Sequence, residues 1–153
     1  MMSMTDTIQR VEAGAVAVLA VVAVVTLYPA WWWMILAAFL VFDLSMVGYI
    51  RSARAGALTY NLVHNFALPA VVSVFALVAQ SWSPIASTTL GVLACAWAFH
   101  VGVDRALGYG LKLPGGFTHT HLGVIGRVHG RDHRHSSGGQ RRRLSVDRSR
   151  GHR

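Results

Sequence analysis

The sequence predicts an all-α integral membrane protein: an antiparallel four-helix bundle, both termini cytoplasmic, with a disordered basic tail. Three observations predict it. Hydrophobic residues make up 54% of the 153 residues and charged residues only 13%, about half the share of a typical soluble domain. Four apolar stretches reach or approach the roughly 20 residues that span a bilayer. Basic and aromatic residues separate onto opposite ends of those stretches.

The first stretch runs from about Ala13 to Tyr28 and stops at Pro29. Its apolar run is short enough to resemble a secretory signal. Its flanks argue for a retained helix, because Arg10 is balanced by Asp6 and Glu12 and no small-x-small cleavage site follows. The second runs Trp31 to Ile50 and contains Asp43. The third runs Gly56 to Ala79 and contains His64 and Pro69. The fourth runs Ile85 to Ala106, with His100 and Asp104 near its end. Short connections make neighbouring helices antiparallel. Residues 1–126 thus form the membrane domain.

Orientation follows from the connections. Arg10, Arg51, Arg54, Arg105 and Lys112 all fall on one side, which the positive-inside tendency makes cytoplasmic. Tyr28, Trp31, Trp32, Trp33 and Trp82 fall on the other, as interfacial anchors do. Residues 127–153 hold nine arginines against Asp132 and Asp147 and almost nothing apolar. That tail is too polar to fold alone, and its ordinary role is contact with anionic lipid. His129, His133 and His135 within it are weak metal signals. The formal net charge of +8 is therefore a property of the tail. A basic folded face for specific nucleic-acid binding is absent. Cys95 is the single cysteine, which excludes a disulfide framework.

Ionisable groups inside a span cost a few kcal/mol each on insertion scales, so their positions are informative. At 1.5 Å of rise per residue, Asp43 lies roughly 10 Å, His64 about 15 Å and His100 about 7 Å from the cytoplasmic ends of their helices. Asp104 sits at the mouth. His100 and Asp104 are i and i+4 and share a face. Tyr60, Asn61, His64 and Asn65 form a polar stripe on the third helix. Pro69 should free the carbonyl of Asn65, four residues earlier. These groups predict a polar cavity open to the cytoplasm, supported by Tyr60, Asn61, Asn65 and Arg105. The plainer reading is that the polar groups bond one another and fix helix packing. Glu12 suits that structural role, as it complements the positive end of the first helix.

Residues 108–126 contain six glycines and Pro114. They are expected to fold back against the mouth, bringing His119 and His121 near it. Four histidines and two carboxylates (Asp43, His64, His100, Asp104, His119 and His121) would suit zinc, manganese or iron. No complete metal signature, phosphate loop or dinucleotide fingerprint is present.

Four separated motifs carry a family resemblance: Asp43 to Tyr49, Tyr60 to Asn65, His100 to Lys112, and Thr120 to Gly126. Together they resemble the small bacterial membrane family catalogued as domain of unknown function 4260, over about Gln9 to Arg127. The resemblance implies a four-helix protein of the bacterial cytoplasmic membrane and supplies no activity. His119 lies outside these motifs.

Three functions fit the residues. One is a metal-dependent hydrolase with water activated at the mouth. Another is a non-enzymatic carrier or partner subunit, in which Asp43 and His64 bind a proton or polar solute. The third is a bis-histidine haem protein using His64 and His100, which the depth arithmetic separates by about 8 Å.

Overall fold

A computed structural model describes residues 4–114, 118–120 and 123–124. The basic tail and His121 lie outside the described residues. Among the described residues the regular structure is helical apart from one short pair of antiparallel strands. Helix α1 spans Met4–Leu27. A 3-10 turn, Pro29–Trp31, leads to α2, Met34–Ala37, and α3, Phe39–Phe42. A second 3-10 helix covers Asp43–Ile50. Then come α4, Ala53–Val63, α5, Ala67–Ala79, and α6, Pro84–Leu107. Strands β1, His119–Thr120, and β2, Gly123–Val124, pair antiparallel, with His119 opposite Val124.

Among the described residues, three helical stretches are long and apolar enough to cross a membrane: Met4–Leu27, Ala53–Ala79 and Pro84–Leu107. A fourth exists if the bent pair Pro29–Ala37 and Phe39–Ile50 counts as one span. Helix α6 is the hub. In its most apolar window 44% of residues are buried, against 22% in the other two, and α1, α2, α3 and α5 all pack on it.

Helix α1 meets α6 through small residues. Ala13, Ala17, Ala20 and Val24 recur every three or four positions and are buried, which places them on one face. Gly102 faces them on α6. A Cβ there would stand 2.8 Å from the Ala13 carbonyl oxygen, so only glycine allows this approach. The two helices run antiparallel, because Arg10 reaches the far end of α6. Its Nε donates to the Ala106 carbonyl at 2.9 Å and Nη2 donates to the Leu107 carbonyl. Those carbonyls have no partner within the helix. Arg10 lies in the helical turns that precede the apolar run from Ala13. Gly108 closes α6 at φ 95°, with its N–H on the Arg105 carbonyl and the Tyr109 N–H on that of Asp104, the Schellman pattern. Ser83 starts α6 by accepting from the Ala86 N–H at 3.2 Å, and Pro84 occupies the first turn.

Two expected helices are not continuous. Trp31 to Ile50 is bent by 45° and ends in eight residues of 3-10 helix, longer than such helices usually run. Part of the reason is the α4 neighbour. Thr59 Oγ1 donates to the Ser45 carbonyl at 2.7 Å, and an inserted side-chain hydroxyl loosens the helical ladder.

The third span breaks at residues 64–66, not at Pro69. Asn65 Oδ1 accepts from the N–H groups of Ala67 and Leu68 at 2.9 and 3.2 Å, capping α5. Pro69 then falls in the first turn of α5, where its missing N–H costs nothing. The carbonyls released are therefore those of α4's end. Asn65 Nδ2 donates to those of Asn61 and Leu62. Trp97 Nε1 donates to that of Val63 at 2.7 Å, and Arg105 donates to that of His64 at 3.2 Å. The carbonyls of Asn61, Leu62, Val63 and His64 at the end of α4 thus all have side-chain partners, as a buried backbone favours.

Candidate metal centre

That break positions the chemistry. His64 closes α4 with φ −92° and ψ 43°, which turns its ring toward α6. Asp43 opens the second 3-10 helix, and His100 and Asp104 stand one turn apart on α6. One ligand atom from each of the four lies within 4.8 Å of every other. His64 Nε2 is 2.9 Å from His100 Nε2, and 3.5 Å from both Asp43 Oδ1 and Asp104 Oδ2. His100 Nε2 is 3.7 and 3.9 Å from the same oxygens. A zinc ion with bonds of 2.0–2.1 Å sets tetrahedral ligand edges of about 3.3 Å. The observed distances straddle that value.

The surroundings orient these groups. The Tyr60 ring stacks on His64 at 3.7 Å and 11°. His64 Nδ1 faces the Tyr60 carbonyl at 3.0 Å. A carbonyl only accepts, so Nδ1 donates, and the Nε2 lone pair of the neutral ring points into the cluster. The Tyr60 hydroxyl donates to Asp104 Oδ2 at 3.2 Å. His100 is held from its other sides by Phe39 and Phe42, at 4.7 and 5.3 Å between centroids. Its Nδ1 is buried and has no hydrogen-bond partner among the described residues. Both imidazoles are buried, while the carboxylates keep some exposure, 29% for the Asp43 side chain and 16% for Asp104. Access to the cluster is therefore from the Asp43 side.

The supporting residues divide by task. Tyr60 holds His64 and Asp104, Arg105 holds the His64 carbonyl, and Asn65 caps α5. Asn61 reaches away from the cluster and grips the segment after α6. Its Nδ2 donates to the Lys112 carbonyl at 2.8 Å, and its Oδ1 accepts the Lys112 N–H at 2.7 Å. Lys112 also bridges Thr120 antiparallel. The segment after α6 thus folds back on α4. It carries His119 in β1. Glu12 is exposed on α1.

Sequence reasoning read Lys112 only as a topological charge. The structure buries it, with the ammonium 5.1 Å from the centroid of the Tyr60 ring, a cation–π distance. Burial pushes this ammonium below its ordinary range, and the Asp104 carboxylate opposes that shift. Its sequence signal is slight: it is the chain's single lysine, next to a polar stripe it cannot be seen to reach. Trp97 and Ser45 were also overlooked. Trp97 lies three residues before His100 and faces the α4 end, as that spacing allows.

Depth along the helix axes separates His64 and His100 by about 8 Å, yet their side chains converge. The ring centroids are 4.9 Å apart. Two axial nitrogens across an iron stand about 4 Å apart, from bonds near 2 Å, with a flat macrocycle between them. Nitrogens in contact at 2.9 Å leave no room for a haem between them.

No curated protein and no solved structure matches the chain. Residues 6–125 match the model of the family described as Domain of unknown function (DUF4260), and the chain belongs to that family.

Proposed function

We propose that the chain is a multi-pass protein of the bacterial cytoplasmic membrane that binds one divalent transition metal, zinc foremost with manganese or iron as alternatives, and uses it for hydrolysis. The observation that carries this reading is the convergence of His64 Nε2, His100 Nε2, Asp43 Oδ1 and Asp104 Oδ2 within 4.8 Å. Without a cation, the His64 lone pair would face two carboxylate oxygens at 3.5 Å. A divalent ion turns that repulsion into coordination.

The roles follow from orientation and exposure. His64, His100 and Asp104 are the ligands, since each is held by packing or a hydrogen bond. Asp43 is the more exposed carboxylate and serves as general base. The ion would supply a water of raised acidity there, and Asp43 would accept that water's proton as its oxygen bonds to the electrophilic carbon or phosphorus of the substrate. The leaving group departs with its electron pair and receives the proton from Asp43. Both chain termini face the cytoplasm in this reading, with four spans in antiparallel order, and the tail meets anionic lipid.

A second reading rests on the 2.9 Å contact itself. One proton between His64 and His100 also completes that contact, as a proton-binding carrier or partner subunit would need. Elemental analysis separates the two. The purified full chain should carry one transition-metal ion, and His64→Ala should carry none. Equal metal in both chains, or none in either, excludes the hydrolase and leaves the proton-binding reading.

A further inference from the structure

A second feature lies at the other end of the molecule. Between the bent second span and α6 there is an open groove of about 530 Å³, within the size range of small-molecule sites. One wall carries Trp31, Met34 and Ala38, and the other carries Ile85, Thr89 and Ala96. Ala38 lies where the second span bends by 45°, so the bend opens the wedge. The inner end meets the core around Val24, Ile35 and Ala96, with Phe42 and Phe99 packed against it. These rings separate the groove from the His/Asp cluster.

Length and cross-section select the occupant. Ile85 to Ala96 is twelve residues of α6, spanning about 16 Å. Half of a 30 Å hydrocarbon core is about 15 Å. The groove is thus one leaflet long, and it begins at Trp31, an aromatic residue of the kind that marks an interface. A helix of a second copy would be about 10 Å wide. A single hydrocarbon chain is the narrower ligand. We infer that this groove is a phospholipid site: it takes one acyl chain from the leaflet that Trp31 faces, with the headgroup beside Trp31. The inference does not depend on the metal reading.

The test is native mass spectrometry of the full chain, purified in mild detergent and offered dioleoyl phosphatidylcholine. Wild type should retain one phospholipid through the spectrometer. Thr89→Phe, at an exposed position of the groove, should lose it. Leu77→Phe, on the exposed face of α5, should keep it. Equal retention in all three chains would overturn the site. So would a wild-type chain that carries no lipid, a result that needs no variant. A wild-type dimer that Thr89→Phe converts to monomer, with lipid absent from both, would assign the groove to a second copy and also overturn it.

Discussion

His64 and His100 lie 36 positions apart in the sequence, yet their Nε2 atoms meet at 2.9 Å with two carboxylates beside them. Bound metal should therefore stabilise the fold. With free zinc at about 100 times its dissociation constant, the gain is about 2.7 kcal/mol. Thermal unfolding in detergent should shift upward with zinc and downward with a chelator. His100→Ala should abolish the shift. A wild-type melting curve indifferent to both additions would exclude a metal centre.

Tyr60 acts on the cluster through its hydroxyl as well as its ring. Tyr60→Phe keeps the stack on His64 and removes the donor to Asp104. Loss of such an orienting bond weakens metal binding about 10- to 100-fold. Competition against a fluorescent zinc chelator reads this directly. An unchanged affinity would mean that Asp104 does not ligate.

The break in the third span should depend on Asn65 and not on Pro69. Asn65→Ala removes two caps of α5 and two donors to α4, and should cost about 2 kcal/mol. Pro69→Ala acts mainly through the unfolded chain and should cost less than about 1 kcal/mol. Denaturant titration of both variants ranks them. The reverse order would return the break to the proline.

Lys112 predicts a pH slope. Its folded-state pKa lies below the ordinary value of 10.5, so between those two values the unfolded chain binds more protons than the folded one. Stability should rise with pH across that window. Lys112→Met should flatten the rise, read as the pH dependence of thermal unfolding. A slope that survives in the variant belongs to another group.

Asn61 is the side-chain clasp of α4 on the segment after α6. Asn61→Leu leaves the N–H and carbonyl of Lys112 without these partners. Hydrogen exchange should accelerate at Lys112 and Thr120 and stay unchanged within α6. Uniform protection in wild type and variant would show that other contacts suffice.

Much of this architecture is legible in the sequence because its causes are local. The α6 boundaries follow from Ser83-Pro84 and Gly108, and the shared face of His100 and Asp104 follows from helical spacing. The rest has distant causes. No proline or glycine lies between Ala30 and Val47, so the bend in the second span leaves no mark there. Its 3-10 turn responds partly to Thr59, on another helix. The break after His64 rests on the choice of Asn65 to cap forward, which Trp97 and Arg105 make affordable from α6. A polar stripe shows that His64 belongs somewhere polar. It does not show that its ring leaves the helix axis to touch His100.

The grip of Arg10 on the last carbonyls of α6 has a consequence for biogenesis. The first apolar helix described finds its main partner in the last one, so the fold is closed by a contact between residues almost a hundred positions apart. Contacts so remote in sequence form slowly. Until α6 is made, the alanine face of α1 has no counterpart and Asp43 and His64 lack half their cluster. An emerging chain can pack α4 on the second 3-10 helix early, but it completes its four-residue cluster only when α6 arrives.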